Sequence, residues 1–188
     1  MGCRETRGFA SGFFIVVAAL ICCRTFQKGE KMKGKKTIKC YKPLLTEERM
    51  VSMQVVSEYA VETSRLNTTE LAARFAKDVL HLDRQAEEYL YLLCFNAKTE
   101  AIALYELSHG SACQSICPIR ELFQKALFAN AVSILLIHNH PTGYAEPSVE
   151  DRKVTERVVT AGNILEIPLD DHIIIGEDYY SFREHGMI

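Results

Sequence analysis

Hydrophobic and polar residues follow two spacings along this chain, one typical of buried strands and the other of amphipathic helices. Short apolar runs predict strands at 89–95, 101–107, 132–137, 173–175 and 179–182. Apolar residues at helical spacing predict helices at about 68–82, from 118 onward, and at 148–161. The resulting order is helix, two strands, helix, strand, helix, two strands. It predicts an α/β fold, a mixed β-sheet flanked by helices.

The strongest chemical signal follows the apolar strand that ends at Ile137. His138 and His140 are two positions apart, so they point to the same side of the strand with Cα atoms roughly 6–7 Å apart. Ser148 is a typical residue to begin a helix, and Asp151 falls in the first turn of that helix. Two imidazoles and a carboxylate with a fourth position open are typical of a catalytic zinc site.

Each half of this pattern also has a simpler interpretation. Histidines at this spacing are common on surfaces, where they bind nothing. Ser148-Val149-Glu150-Asp151 is also a capping box, in which Ser148 caps the helix and Asp151 bonds back to it. The setting favours a metal site, because polar side chains at the end of so apolar a strand require a reason to be there.

These residues resemble the JAB/JAMM/MPN metalloprotease motif, H-x-H-P followed after ten residues by Asp, with Ser three positions before it. The longer string 138–143, with Pro147, Ser148 and Asp151, is similar to the bacterial RadC branch of that superfamily. Further agreement lies at 118–121, 130–131, 171–176 and 180–184. The resemblance extends from about Leu66 to the C-terminus. It implies a JAB/MPN-like (cytidine-deaminase-like) fold and a domain at 66–188.

The resemblance also implies an activity, a cofactor and site residues. The activity is zinc-dependent hydrolysis of a peptide or isopeptide bond in a protein or peptide substrate, with His138, His140 and Asp151 as ligands of Zn²⁺. Glu88, directly before the strand at 89–95, matches the family's general base; Glu87 is the adjacent alternative, and only one of the two can face the site. Ser148 matches the residue that stabilises the oxyanion.

The remaining histidines are not predicted to be metal ligands. His172 begins an apolar strand, and we expect it to be structural or to support the site from behind the ligands. His81, His109 and His185 have no partners in sequence and are expected at the surface.

The formal net charge of −2 hides an asymmetry. Residues 1–40 contain nine Lys and Arg against two Asp and Glu, whereas residues 41–188 contain thirteen against twenty-two. An acidic domain is a poor general binder of phosphate backbones, which argues against nucleic acid as a partner. The seven cysteines have no framework spacing, and Cys94 lies in an apolar run. A reducing, cytoplasmic setting is therefore expected.

Residues 1–40 form a basic segment with a short apolar run, 13–23. The run falls short of the about 20 residues that a spanning helix requires, and no small-residue cleavage site follows it. Three interpretations stay open: a short membrane anchor, a failed signal-like segment, or an upstream extension with the functional start at Met32.

Residues 41–65, with mixed helix and strand signals over 41–63, are expected to be a linker or entry segment.

Two features qualify the resemblance. The common family loop reads H-N-H-P-S-G, and Thr142 replaces that serine here. Longer RadC proteins carry an N-terminal helix-hairpin-helix domain, which nothing in this sequence resembles. The second feature weakens the case for a role in DNA repair inherited through the family. The rival function is a non-catalytic interaction module or a DNA-repair-associated accessory protein.

Overall fold

A seven-stranded mixed β-sheet runs through the residues that the computed structural model describes, 36–110 and 117–188. The strands are β1 (Lys36–Leu45), β2 (Val51–Val61), β3 (Glu88–Phe95), β4 (Ala101–Gly110), β5 (Ser133–Asn139), β6 (Leu169–Ile175) and β7 (Tyr179–Ser181). The α-helices are α1 (Thr69–Asp78), α2 (Ile119–Phe128) and α3 (Val149–Leu165), and Leu82–Arg84 forms a short 3-10 helix. The strand order is β2-β1-β4-β3-β5-β6-β7. The pairs β1/β4 and β5/β6 are parallel, and the other neighbours are antiparallel.

Strand β5 lies inside the sheet and is buried at all seven positions. Leu135 and Ile137 belong to the core that includes α1, whereas Ile134 and Leu136 belong to the core that includes α2 and α3. A strand buried on both faces contains a nearly continuous apolar run, here residues 134–137, which is why this strand could be identified from sequence alone. Helices pack on both faces of the sheet, which confirms the predicted α/β fold class.

Helix α1 ends earlier than its apolar spacing predicts. The expected helix extended to about residue 82, but α1 stops at Asp78. His81 then adopts a left-handed conformation with φ of 53°, and the 3-10 helix begins at Leu82. Leu80 and Leu82 still pack into the α1-side core, so helix-like apolar spacing continues past the residue where the backbone turns.

The segment 41–65, expected to be a linker or entry segment, forms most of a long hairpin. Strands β1 and β2 pair from Lys36↔Val61 to Leu45↔Val51, so the expected boundary at residues 40 and 41 falls within β1. Most positions of both strands are exposed, and Ile38 and Cys40 are the buried exceptions in β1. A hairpin with so few buried positions carries no clear period-2 pattern, which explains the mixed sequence signals.

Several expectations from sequence fall on residues outside the described ranges. These are the apolar run 13–23 and the start at Met32. Within the described residues, Cys40, Cys94 and Cys117 are buried free thiols. Among the helices of the described residues, none is both long enough and apolar enough to cross a lipid bilayer.

The loop after β5 is fastened to the turn between β6 and β7. His140 donates its backbone N–H to Ile175 O at 2.9 Å, and Glu177 donates its own to Gly143 O at 2.8 Å. A Cβ on Gly176 would lie 2.2 Å from Gly143 O, so the two backbones approach in a way that only glycine permits. The position of this loop, which leads from β5 to α3, is thereby fixed.

We expect Gly176→Ala to lower the free energy of unfolding by about 2–4 kcal/mol, since a backbone oxygen cannot move aside as a flexible side chain does. The matched control is Gly186→Ala, whose Cβ meets nothing within 4 Å at φ of +66°. That control adds only backbone strain, about 1 kcal/mol. Urea unfolding of both variants tests the difference, and equal losses would contradict it.

Candidate metal centre

The end of β5 and the start of α3 bring three predicted ligands together. His138 and His140 lie on the same side of the chain, and their Nε2 atoms are 3.2 Å apart. His138 Nε2 lies 3.3 Å from Asp151 Oδ1, and His140 Nε2 lies 3.5 Å from Asp151 Oδ2. The strand therefore supplies two nitrogens and the helix supplies one carboxylate to the same point.

Asp151 is held there by the capping box at the start of α3. Its Oδ2 accepts hydrogen bonds from Ser148 N at 2.7 Å and from Ser148 Oγ at 2.6 Å. In return, Asp151 N donates to Ser148 Oγ at 3.1 Å. The structure thus shows the capping box, and it leaves Asp151 Oδ1 turned toward His138, so capping the helix does not prevent this carboxylate from serving as a ligand. Ser148 itself is exposed and adjoins the cluster through Asp151.

Glu88 joins the cluster from the first position of β3. One ligand atom from each of Glu88, His138, His140 and Asp151 lies within 4.8 Å of the other three. Glu88 is only 7% exposed, whereas Glu87 is exposed. Burial raises the pKa of the Glu88 carboxyl above its usual value. Of the two adjacent acids left open by the sequence, Glu88 is the one whose carboxylate lies beside the histidines.

The hydrogen bond of His140 identifies the atom that it offers to the site. His140 Nδ1 lies 2.8 Å from Tyr144 O, and a carbonyl oxygen only accepts. Nδ1 therefore carries the hydrogen, and Nε2 is the atom directed at Asp151. The backbone of the loop after β5 sets this orientation.

His138 is oriented by a chain of three hydrogen bonds that begins at the backbone of α3. Thr155 Oγ1 lies 2.7 Å from Asp151 O, so its hydroxyl donates to that carbonyl. The hydroxyl oxygen then accepts from His172 Nδ1 at 2.7 Å, and His172 Nε2 accepts from His138 Nδ1 at 2.9 Å. Each donor direction follows from the previous one, because the first group, the carbonyl of Asp151, can only accept. In the neutral imidazole of His138, Nε2 is therefore the nitrogen with the lone pair, and it faces the cluster.

His172 is fully enclosed and suited to this role. It is 1% exposed, it stacks on Phe182 with ring centroids 5.0 Å apart, and burial lowers its pKa well below the usual value. A neutral imidazole both donates and accepts, as the chain requires. The expected supporting position of His172 is what the structure shows, whereas Thr155 was missed. Its spacing of four residues from Asp151 is the signal that could have found it.

The cluster stabilises positive charge. Burial opposes ionisation of Asp151, but hydrogen bonds from the protonated forms of His138 and His140 outweigh it and hold the pKa of this carboxyl well below its usual range. The hydrogen bond to Asp151 raises the pKa of His140. A proton or a metal ion can supply the charge, and two imidazole nitrogens with two carboxylates form a donor set that suits a divalent metal. The residues present therefore fit the implied ion.

The other histidines do not belong to the cluster. His81, His109 and His185 are exposed, as expected. His109 pairs with Glu106 at 2.7 Å, and His185 Nδ1 donates to Ser181 O at 2.8 Å. Both therefore make local contacts that the sequence did not predict.

Comparison with known proteins identifies the family. The family model described as "RadC-like JAB domain" matches residues 66–187. The chain belongs to the RadC-like JAB-domain family. The resemblance found in the sequence is thereby confirmed.

Curated relatives of this RadC-like chain are bacterial proteins named UPF0758 protein. One from Rubrobacter xylanophilus is 44% identical over 110 residues, which cover 58% of this chain and 47% of the relative. One from Thermotoga maritima is 35% identical over 123 residues, or 65% and 54% of the two chains. One from Chlorobaculum tepidum is 30% identical over 152 residues, or 78% and 68%. The chain spans about half the length of the first two relatives.

We expect Thr155→Val to weaken zinc binding by roughly 10- to 100-fold, because His172 loses the acceptor that fixes its hydrogen and that of His138. Thr160→Val is the matched control, since Thr160 is exposed on the same helix and donates to Glu156 O at 2.8 Å. Competition with a chromophoric chelator measures both affinities. Equal affinities in the two variants would show that the chain of hydrogen bonds does not orient His138.

Proposed function

We propose that this protein is a zinc-dependent hydrolase that cleaves a peptide or isopeptide bond. The observation that carries the proposal is the cluster of Glu88, His138, His140 and Asp151, of which the first two are buried and the last two half-buried, and in which both imidazoles direct Nε2 inward. Membership of a JAB-domain family supports the same reaction class.

Zinc is the metal that this donor set favours. Two neutral imidazoles and one carboxylate, with a further position open to water, form the usual ligand set of catalytic zinc in hydrolases. His138, His140 and Asp151 would hold the ion, and Glu88 would be left for proton transfer. When bound, zinc would lower the pKa of a coordinated water toward about 7 and polarise the substrate carbonyl.

Glu88 is the proposed general base and acid. Its carboxylate would take a proton from the attacking water and then donate it to the leaving nitrogen. Burial raises its pKa, which makes its carboxylate a stronger base and its acid form easier to populate at working pH. A carboxyl with an ordinary pKa would hold the transferred proton less well.

Ser148 is the proposed donor to the oxyanion. Its hydroxyl now donates to Asp151 Oδ2, so it must exchange this acceptor for the substrate oxygen as charge develops there. Ser148 is exposed, so a substrate can reach it. Its backbone N–H still donates to Asp151 during this exchange, which keeps the start of α3 in place.

We further propose a protein or peptide as the substrate and the cytoplasm as the site of action. The acidic balance of residues 41–188 disfavours a nucleic-acid substrate, and buried free thiols suit a reducing compartment. The rival function, a non-catalytic interaction module, would have no need of the base, the ligands and the hydroxyl, yet the chain carries all of them.

The first prediction of this proposal concerns metal content. The purified full chain is expected to contain about one zinc per molecule, and His140→Ala and Asp151→Ala are each expected to abolish stable binding, because two ligands do not hold zinc tightly. His109→Ala, at an exposed histidine outside the cluster, is the control that should keep its metal. Elemental analysis provides the measurement. A folded, unmutated chain that takes up no zinc when zinc is added would refute the proposal.

The second prediction concerns the base. Glu88→Gln is expected to retain zinc but to lower kcat by roughly 10²- to 10⁴-fold on cleavable fluorogenic peptides or lysine-linked isopeptides. Glu87→Gln is the neighbouring control and should retain activity. Hydrolysis by the unmutated chain should be lost as pH falls through the raised pKa of Glu88, because the protonated carboxyl cannot accept the water's proton. Full activity in Glu88→Gln would assign the base to another group.

A further inference from the structure

We propose that Asn139, the residue between the two histidine ligands, is the positioning residue for Glu88. Its carboxamide holds the backbone on both sides of Glu88: Nδ2 donates to Glu87 O at 3.0 Å, and Oδ1 accepts from Tyr89 N at 2.8 Å. This inference rests on the proposed function, in which Glu88 is the base. It adds a residue to which neither the sequence motif nor the metal cluster assigns a role.

The contact lies where the pairing of β3 with β5 ends. The last backbone pair between these strands is Leu90↔His138, and the chain after Asn139 turns into the loop that carries Tyr144. Residues 87–89 therefore extend past the backbone pairing with β5. The carboxamide of Asn139 takes the place of the next peptide group of β5, since it offers one donor and one acceptor to the same strand. On the other side of β3, Glu88 pairs with Gly110 of β4.

The chemistry of this position favours asparagine. Asn139 is 1% exposed, so an unmatched polar atom here would be costly. Aspartate has the same shape but lacks a donor for Glu87 O, and it would place negative charge against a carbonyl. Serine and threonine have one hydroxyl, which cannot span the two backbone groups of a strand. Asparagine satisfies both groups at this reach.

The arrangement ties the base to the ligands through three consecutive residues. His138 and His140 provide the nitrogens, and Asn139 between them fixes the two peptide groups that flank Glu88. A shift of β3 along β5 by one residue would turn the Glu88 side chain to the opposite face. The two hydrogen bonds of the Asn139 carboxamide, here called the clamp, therefore favour the register in which the Glu88 carboxylate lies on the same side as the ligands.

The test compares Asn139→Ala with Asn96→Ala in the full chain. Asn96 also bonds two backbone groups through its side chain, in its case the N–H groups of Lys98 and Glu100, but it does so at the β3–β4 turn. For Asn139→Ala we expect kcat to fall roughly 10- to 100-fold, with KM and zinc affinity within about threefold of the unmutated chain. Asn96→Ala should leave all three values unchanged.

Two measurements need no substrate. Hydrogen exchange of the Tyr89 amide should accelerate at least roughly tenfold in Asn139→Ala, while that of the Leu92 amide should not change. The Glu88 carboxyl ¹³C resonance of labelled protein should broaden or shift in the same variant. Unchanged exchange and an unchanged resonance would overturn the clamp. Faster exchange with unaltered kcat would overturn the positioning role, as would a loss of zinc that parallels the loss of kcat.

Asn139→Asp covers the case in which Asn139→Ala does not fold. It keeps an acceptor for Tyr89 N and removes the donor to Glu87 O, so the same fall in kcat with retained zinc is expected. If the unmutated chain hydrolyses nothing, the proposed function fails. The exchange and resonance measurements still decide whether Asn139 holds Glu88, so the two failures can be distinguished.

Discussion

The constraint that the fold must meet is the convergence of four acceptor side chains, two of them buried and two half-buried, on one point. Two carboxylates and two imidazole nitrogens within 4.8 Å of one another repel unless positive charge is placed among them. The fold holds them together with elements that are stabilised elsewhere, namely a strand buried at every position and a helix with its own capping box. Hydrophobic packing of β5 and α3 therefore offsets the electrostatic cost of gathering these groups.

The direction of the hydrogen bonds is as important as the positions of the side chains. One chain of hydrogen bonds runs from His138 through His172 and Thr155 to the carbonyl of Asp151, and the two groups in its middle, His172 and Thr155, carry no charge. Neutral groups tolerate burial far better than charged ones, so these hydrogen bonds can lie between the sheet and α3. It also joins the strand that carries one ligand to the helix that carries another. The orientation of His138 is thus set by the same helix that supplies Asp151.

The sequence predicted those parts of the fold that show regular apolar spacing, and those parts of the site whose residues are close together along the chain. Strand β5, the capping box and the pair His138 and His140 are local patterns and were identified. The hairpin of β1 and β2 was not, because it buries few residues and shows no period. Asn139 could not be assigned, since the backbone groups that it holds lie about 50 residues away along the chain. Thr155 has a local signal in its spacing from Asp151, but the histidine that it orients, His172, lies on a separate strand. Such contacts arise only when the sheet and helices have assembled.

The double use of Asp151 has a consequence for the entry of an ion. Its carboxylate is already restrained by the backbone and hydroxyl of Ser148, and the same bonds order the first turn of α3. A side chain that is held in this way loses little conformational entropy when it becomes a ligand. Much of the entropy of ordering this carboxylate is therefore lost on folding and not on ion binding. The centre is preorganised, because the carboxylate ligand is in position before an ion binds.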